Sequence, residues 1–110
     1  MSQALSVPNA SPFLPVQTVN LSVTDASARV AFGAFLYASP RSVRILCLGS
    51  EQIVYIKFGD ATVTAATTAT MRMLTGSVEI FLVDPAWTHV AALCPTGETA
   101  TLDVTSGHGQ

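Results

Sequence analysis

The chain has 110 residues, enough for one domain. Only 11% of them are charged, less than half the roughly 25% of an average soluble protein, and 49% are hydrophobic; five Lys and Arg against seven Asp and Glu leave a formal net charge of −2. That balance excludes a highly charged disordered chain, and it leaves too few cations for a nucleic-acid binder, whose affinity rests on neutralising several phosphates with one face.

The first charge is Asp25, yet the stretch before it is not a membrane span. Pro8, Pro12 and Pro15 interrupt it, and Ser, Asn, Gln and Thr dilute it. It also lacks the basic start and compact apolar run of a signal peptide. Residues 1–16 are expected to form an extended arm, because proline removes a backbone donor and biases its predecessor toward extended conformations. Phe13, Leu14 and Val16 are apolar enough to anchor such an arm on a partner where it would become ordered. A frayed terminus is the alternative.

From residue 17 the pattern is that of strands. Residues 17–23 alternate, with Val19, Leu21 and Val23 on one face. Residues 29–37 form an apolar, aromatic run, and Ser39-Pro40-Arg41-Ser42 makes a turn. Residues 43–48 and 53–58, separated by Gly49-Ser50-Glu51-Gln52, give the strongest hairpin pattern in the chain. Residues 61–75 break the rhythm with a low-complexity Ala/Thr stretch that has no apolar stripe at helical spacing, so it is expected to be a strand edge followed by a long surface loop. Strands resume after Gly76. Residues 77–83 carry Val78, Ile80 and Leu82 on one face, residues 87–93 follow, and residues 99–105 alternate with Ala100, Leu102 and Val104 pointing one way and Thr101 and Asp103 the other. Gly49, Gly59, Gly76 and Gly97 each stand at a strand end, where turns need positive φ.

Turns spaced this regularly, with no strand–helix alternation, predict an all-β fold: a single antiparallel β-sandwich, jelly-roll-like or immunoglobulin-like, of about seven to eight strands over residues 17–105, with the extended arm before it and a flexible tail at 106–110. Ile53-Val54-Tyr55-Ile56 and Ile80-Phe81-Leu82-Val83 are apolar on both faces, whereas a two-sheet sandwich needs only one apolar face per strand. Some outer faces are therefore expected to be covered, by the arm, by the long loop or by another protein.

Groups able to do chemistry are sparse. Cys47 and Cys94 each sit in an apolar run and read as buried thiols; a disulfide between neighbouring strands is the alternative, in an oxidising compartment. No paired Cys or His spacing predicts a metal, and no cofactor motif is present. His89 reads as a strand histidine and His108 as part of the mobile tail. Nothing supplies the base that a Ser or Thr nucleophile requires, so catalysis is not expected.

Ile45-Leu46-Cys47-Leu48-Gly49, then Ile53-Val54-Tyr55-Ile56-Lys57-Phe58-Gly59-Asp60, then Val63-Thr64-Ala65 resembles a run found in small virion proteins of tailed bacteriophages; Leu74 to Phe81, Thr88 to Leu93 and Thr101 to Gly107 look like its continuation. The resemblance implies a structural component of the head, a β-sandwich decoration or cement protein that binds and stabilises the shell of the major capsid protein. It would associate with other copies of itself as a dimer or trimer, contact neither nucleic acid nor membrane, and reside in the virion capsid after assembly in the host cytoplasm. Its candidate partner-binding residues are Pro8, Pro12, Phe13, Leu14, Pro15 and Val16 in the arm, with Met71, Met73 and Leu74 at the end of the long loop. Two alternatives stand beside it. One is another virion part, such as a head fibre, tail-tip or head-completion protein. The other is a small ligand-binding module with a pocket rimmed by aromatics such as Tyr37, Tyr55 and Trp87.

Overall fold

The computed structural model describes residues 12–38, 40–49, 53–68 and 71–109. Eight strands follow one another: β1 (Leu14–Val23), β2 (Ala28–Ala31), β3 (Arg41–Leu48), β4 (Ile53–Gly59), β5 (Met71–Leu74), β6 (Val78–Val83), β7 (His89–Leu93) and β8 (Ala100–His108). They build two antiparallel sheets of four strands, in the orders β1-β8-β3-β6 (sheet one) and β2-β7-β4-β5 (sheet two). The pairing is nested. The first strand lies against the last, the second against the seventh, the third against the sixth and the fourth against the fifth. A long antiparallel ribbon rolled over on itself pairs in this way, and the result is a jelly roll. Of the two sandwich types compatible with the sequence, this is the one formed.

The core lies between the sheets. Val23, Val43, Ile45, Cys47, Leu102 and Val104 face it from sheet one, and Val54, Ile56, Met73, Val90 and Ala92 from sheet two. Where one face of a strand is polar, the period-2 pattern identifies the inward face: Leu21 and Val23, and Ala100, Leu102 and Val104, are all buried.

Several local expectations are corrected. Residues 43–48 and 53–58 do not form a hairpin: β3 pairs with β6 and β8, and β4 with β5 and β7, so the connection between them crosses from one sheet to the other. A short polar connection is compatible with either a tight hairpin or a crossover, and the partner strands, which are distant in sequence, decide. The aromatic run at 29–37 is a strand only as far as Ala31; residues 32–38 are irregular and cap one end of the sandwich. Leu14, Pro15 and Val16 belong to β1, not to a free arm, with a register shift between Pro15 and Gln17.

Residues 106–108, expected in the tail, complete β8, and Ser106 and His108 are buried. Their polarity marked them as tail, but their bonds are satisfied inside. Ser106 Oγ donates to Ala34 O at 2.6 Å. The His108 ring accepts from Leu36 N–H at Nε2 (3.0 Å), lies 2.8 Å from Pro40 O at Nδ1 and stacks on Tyr37 at 3.7 Å. The β8 terminus is thus pinned beneath the loop that caps the sandwich.

Candidate assembly surface

The outer face of sheet two along β7 is covered by the chain itself, while Leu74 at the β5 edge of that face stays exposed. After Gly59 the backbone turns sharply: Val63 N–H donates to Asp60 O (3.1 Å), and Asp60 Oδ1 accepts from both the Thr62 hydroxyl (2.6 Å) and the Thr62 N–H (2.9 Å). These bonds, the hydroxyl's first, hold the Asp60 carboxyl below the usual carboxylate range. The turn sends the Ala/Thr segment back over the sheet, where Val63 and Ala65 bury Ala91 and pack on Leu93. Ala65 N–H then donates to Ser27 Oγ at 2.9 Å, fixing the segment just before β2. Gly59 is needed for this closeness and not for a turn with positive φ, because a Cβ there would lie 2.8 Å from that of Val63.

The outer face of sheet one is closed at one end only. The Phe13 ring lies over Gly107, where a Cβ would meet it at 2.8 Å, and the Arg44 guanidinium sits 5.5 Å from its centroid. Ser42, the register partner of Gly107, is fully buried there, and its hydroxyl finds no hydrogen-bond partner among the described residues. Along β1 and β8 the face is polar: Thr18 bonds Thr105 at 2.8 Å, and Asn20 bonds Asp103.

The face along β3 and β6 is different. Val78, Ile80 and Leu82 point outward and are 54%, 37% and 57% exposed, with Leu46 beside Val78 in the register and Leu48 next along β3. β6 is also an edge strand. The other edges are blunted: β1 carries Pro15 and the register shift, while β2 and β5 are four residues long and each holds an arginine, Arg29 and Arg72. β6 carries Glu79 as its one charge.

The expected partner-binding residues are dispersed. Pro8 lies outside the described residues. Pro12 and Leu14 line a hollow of about 410 Å³ with Tyr37, Pro40, His108 and Gly109. Pro15 pairs with Gly107, and Val16 sits half-buried at the register shift. Met71 and Leu74 are exposed on edge strand β5, but Met73 is 2% exposed and belongs to the core; alternation puts Met71 and Met73 on the inward face and Leu74 on the outer one, so the three share no surface. The row Val78, Ile80 and Leu82 was visible as a face in the sequence; its outward direction was not, since the opposite face of Glu79, Phe81 and Val83 is the one that carries the charge.

Other constellations are separated by the fold. Tyr55 sits on sheet two beside Arg72 (5.7 Å), Tyr37 stacks on His108, and Trp87 stacks on Phe58 (5.7 Å), so these aromatics rim no common pocket. Arg44 and Lys57 lie in different sheets. The His89 ring meets the Thr88 hydroxyl at 2.7 Å. A hollow of about 440 Å³ at the opposite end of the sandwich is lined by Ser22, Val23, Thr24, Leu48, Gly49, Thr99, Ala100 and Thr101, none of which titrates near neutrality. Among the described residues no group of three or more His, Cys, Asp or Glu could hold a metal. Cys47 and Cys94 are buried and in no disulfide; burial pushes the Cys47 thiol up to about 11 and raises that of Cys94.

No protein-family model matches the chain, and no curated protein matches it in sequence. Among solved structures, it is similar to a chain from Bacillus endospore appendages, which are described as forming a novel family of disulfide-linked pili. The TM-score is 0.53 and the identity 18%, covering 97% of this chain and 98% of that one. A likeness at this identity speaks to the fold.

Proposed function

We propose that this chain is a non-enzymatic structural subunit, a β tile that works by burying its β3/β6 face in a multi-copy assembly. The observation that carries this is the uncovered row Val78, Ile80 and Leu82, next to Leu46 and on the one edge strand without proline, bulge or basic residue. A standard protein interface buries about 1,600 Å² in total, and repetition over many copies multiplies a weak joint. The particle favoured by the resemblance of residues 43–109 is a bacteriophage virion, with the chain decorating and cementing the major capsid shell and contacting further copies of itself. A filament is the second reading, favoured by the whole-length likeness to an endospore-appendage chain. In such a filament the joints would be non-covalent at Cys47 and Cys94, because both thiols are sealed in the core.

The test has two arms. Sedimentation of the purified chain over a range of concentrations should show self-association that Ile80→Glu abolishes; association unchanged by Ile80→Glu would remove the β6 face from the proposal. Quantitative mass spectrometry of purified phage particles should find the chain at a copy number comparable to that of the shell protein. Absence from particles, with filaments forming from the chain alone, would replace the virion reading by the filament one.

A further inference from the structure

The cap over one end of the sandwich, residues 32–38, is held in two halves by bonds of different chemistry. Its first half is tied by groups that do not titrate. Phe32 N–H donates to Thr88 O (2.9 Å), Ala34 N–H to Gln17 Oε1 (2.7 Å) and Ser106 Oγ to Ala34 O (2.6 Å). Its second half is tied to His108, buried at the end of β8. Leu36 N–H donates to Nε2 at 3.0 Å, so Nε2 must carry a lone pair. The one proton of a neutral imidazole then sits on Nδ1, and Pro40 O, which can only accept, receives it at 2.8 Å. Both ring nitrogens are therefore committed, in a single tautomer.

Nothing packed against the ring compensates a second proton. Tyr37, stacked on it at 3.7 Å, is the other titratable group, and Phe35 meets it edge-on at 5.8 Å. The charged group on the same cap is Arg41, whose guanidinium lies 4.6 Å from the Phe35 centroid while its Nε–H donates to Tyr37 O (3.3 Å). It adds a cation near the ring, not a counter-ion. Leu14, the register partner from β1, and Gly109, next along the chain, do not titrate. No carboxylate is among the ring's described contacts.

We infer that His108 is an acid-sensitive latch: the second half of the cap closes on the neutral ring and lifts when Nε2 takes a proton. A proton there sets two N–H donors face to face, so the Leu36 bond must open for the imidazolium to exist. The closed cap thus contributes stability that is full where the ring is neutral and is lost as pH falls. Lifting also withdraws Phe35, which packs on the core cluster, so acid uncovers apolar surface at this end of the sandwich. The latch acts within one chain and does not depend on the assembly reading.

Amide exchange followed by nuclear magnetic resonance on the full-length chain is the test. The protection factor of Leu36, taken against the intrinsic rate at each pH, should fall about ten-fold between pH 7.5 and pH 5.5, because the opened ring takes up one proton through the ordinary histidine range. Ala34, whose bonds do not titrate, should keep its protection over the same interval. The imidazole nitrogen spectrum at pH 7.5 should show Nδ1 protonated and Nε2 bare. His108→Gln keeps an acceptor and a donor without a titrating group, and should make the Leu36 protection independent of pH. Leu36 and Ala34 falling together, or neither falling, would overturn the latch, as would the opposite tautomer. A fall at Leu36 that persists in His108→Gln would overturn it too, assigning the titration to another group.

Discussion

Both sheets turn apolar side chains outward, but sheet two covers those along β7 with its own chain, whereas sheet one leaves its β6 row bare. Over sheet two, a turn fixed by Asp60 and Thr62 lays Val63 and Ala65 on Ala91. Over sheet one, Phe13 closes the end at Gly107, polar side chains occupy β1 and β8, and the row Val78, Ile80 and Leu82 stays exposed. Outward apolar residues thus have two meanings in one molecule. Under a chain segment they extend the core, and without one they stay exposed at the surface. The low charge of the chain has the same two sources.

The largest expected effect tests the covered face. Ala91→Glu overfills the space beneath Val63 and Ala65 and places there a carboxylate whose register partners are Arg29 and Lys57; even with those cations beside it, the displaced cover should cost about 2–4 kcal/mol in urea unfolding. A loss near zero would mean that the segment lifts away freely and the cover is not part of the fold. Gly59→Ala acts on the same cover from its root and should cost about 1–3 kcal/mol, because the new methyl must displace Val63. Faster hydrogen exchange at residues 60–66 in this variant would locate the damage.

The core shared by both sheets is probed by alkali. The folded state keeps Cys47 protonated up to about 11, while the unfolded chain loses that proton near 8.5. The stability contributed is therefore full below about 8.5 and declines as pH rises toward 11. Urea midpoints at pH 8 and pH 10.5 should show the decline, and Cys47→Ser should flatten it. Ile80→Glu, on the bare face, should move the unfolding free energy by less than about 0.5 kcal/mol even as it abolishes association. If it destabilised the isolated chain as Ala91→Glu does, the two faces would not differ in kind. The smallest effect belongs to Asp60. Its folded carboxyl titrates below the unfolded one, so its contribution is present above the ordinary carboxylate range and is lost as pH falls through the folded value. Protection factors for exchange at the 60–66 segment, taken against the intrinsic rate at each pH, should fall in acid, and Thr62→Ala should lower them at neutral pH.

Legibility followed polarity. Val19, Leu21 and Val23 could be read as an inward face because Thr18, Asn20 and Ser22 alternate with them, and the β8 face was plain because of Thr101 and Asp103. On β6 the one charge, Glu79, lies on the face opposite the bare row, so alternation did not show that the row points outward. Met73 looked like surface beside Met71 and Leu74 because four residues are too few to show a phase. The connection at 49–52 looked like a hairpin because hairpins are judged locally, whereas the partners of β3 and β4 are set by strands far along the chain. His108 looked like tail because its hydrogen-bond partners, Leu36 and Pro40, are remote in sequence.

By itself, then, the sequence determined the all-β class, the approximate strand positions and the excess of apolar surface, because these follow from composition and from a period of two residues. The tertiary structure alone decided the nested pairing, the fate of the Ala/Thr segment, the anchoring of His108 and which apolar row remains bare. Each of these depends on contacts between residues far apart in the chain, and no local pattern records which distant strand or segment will arrive to cover a given face.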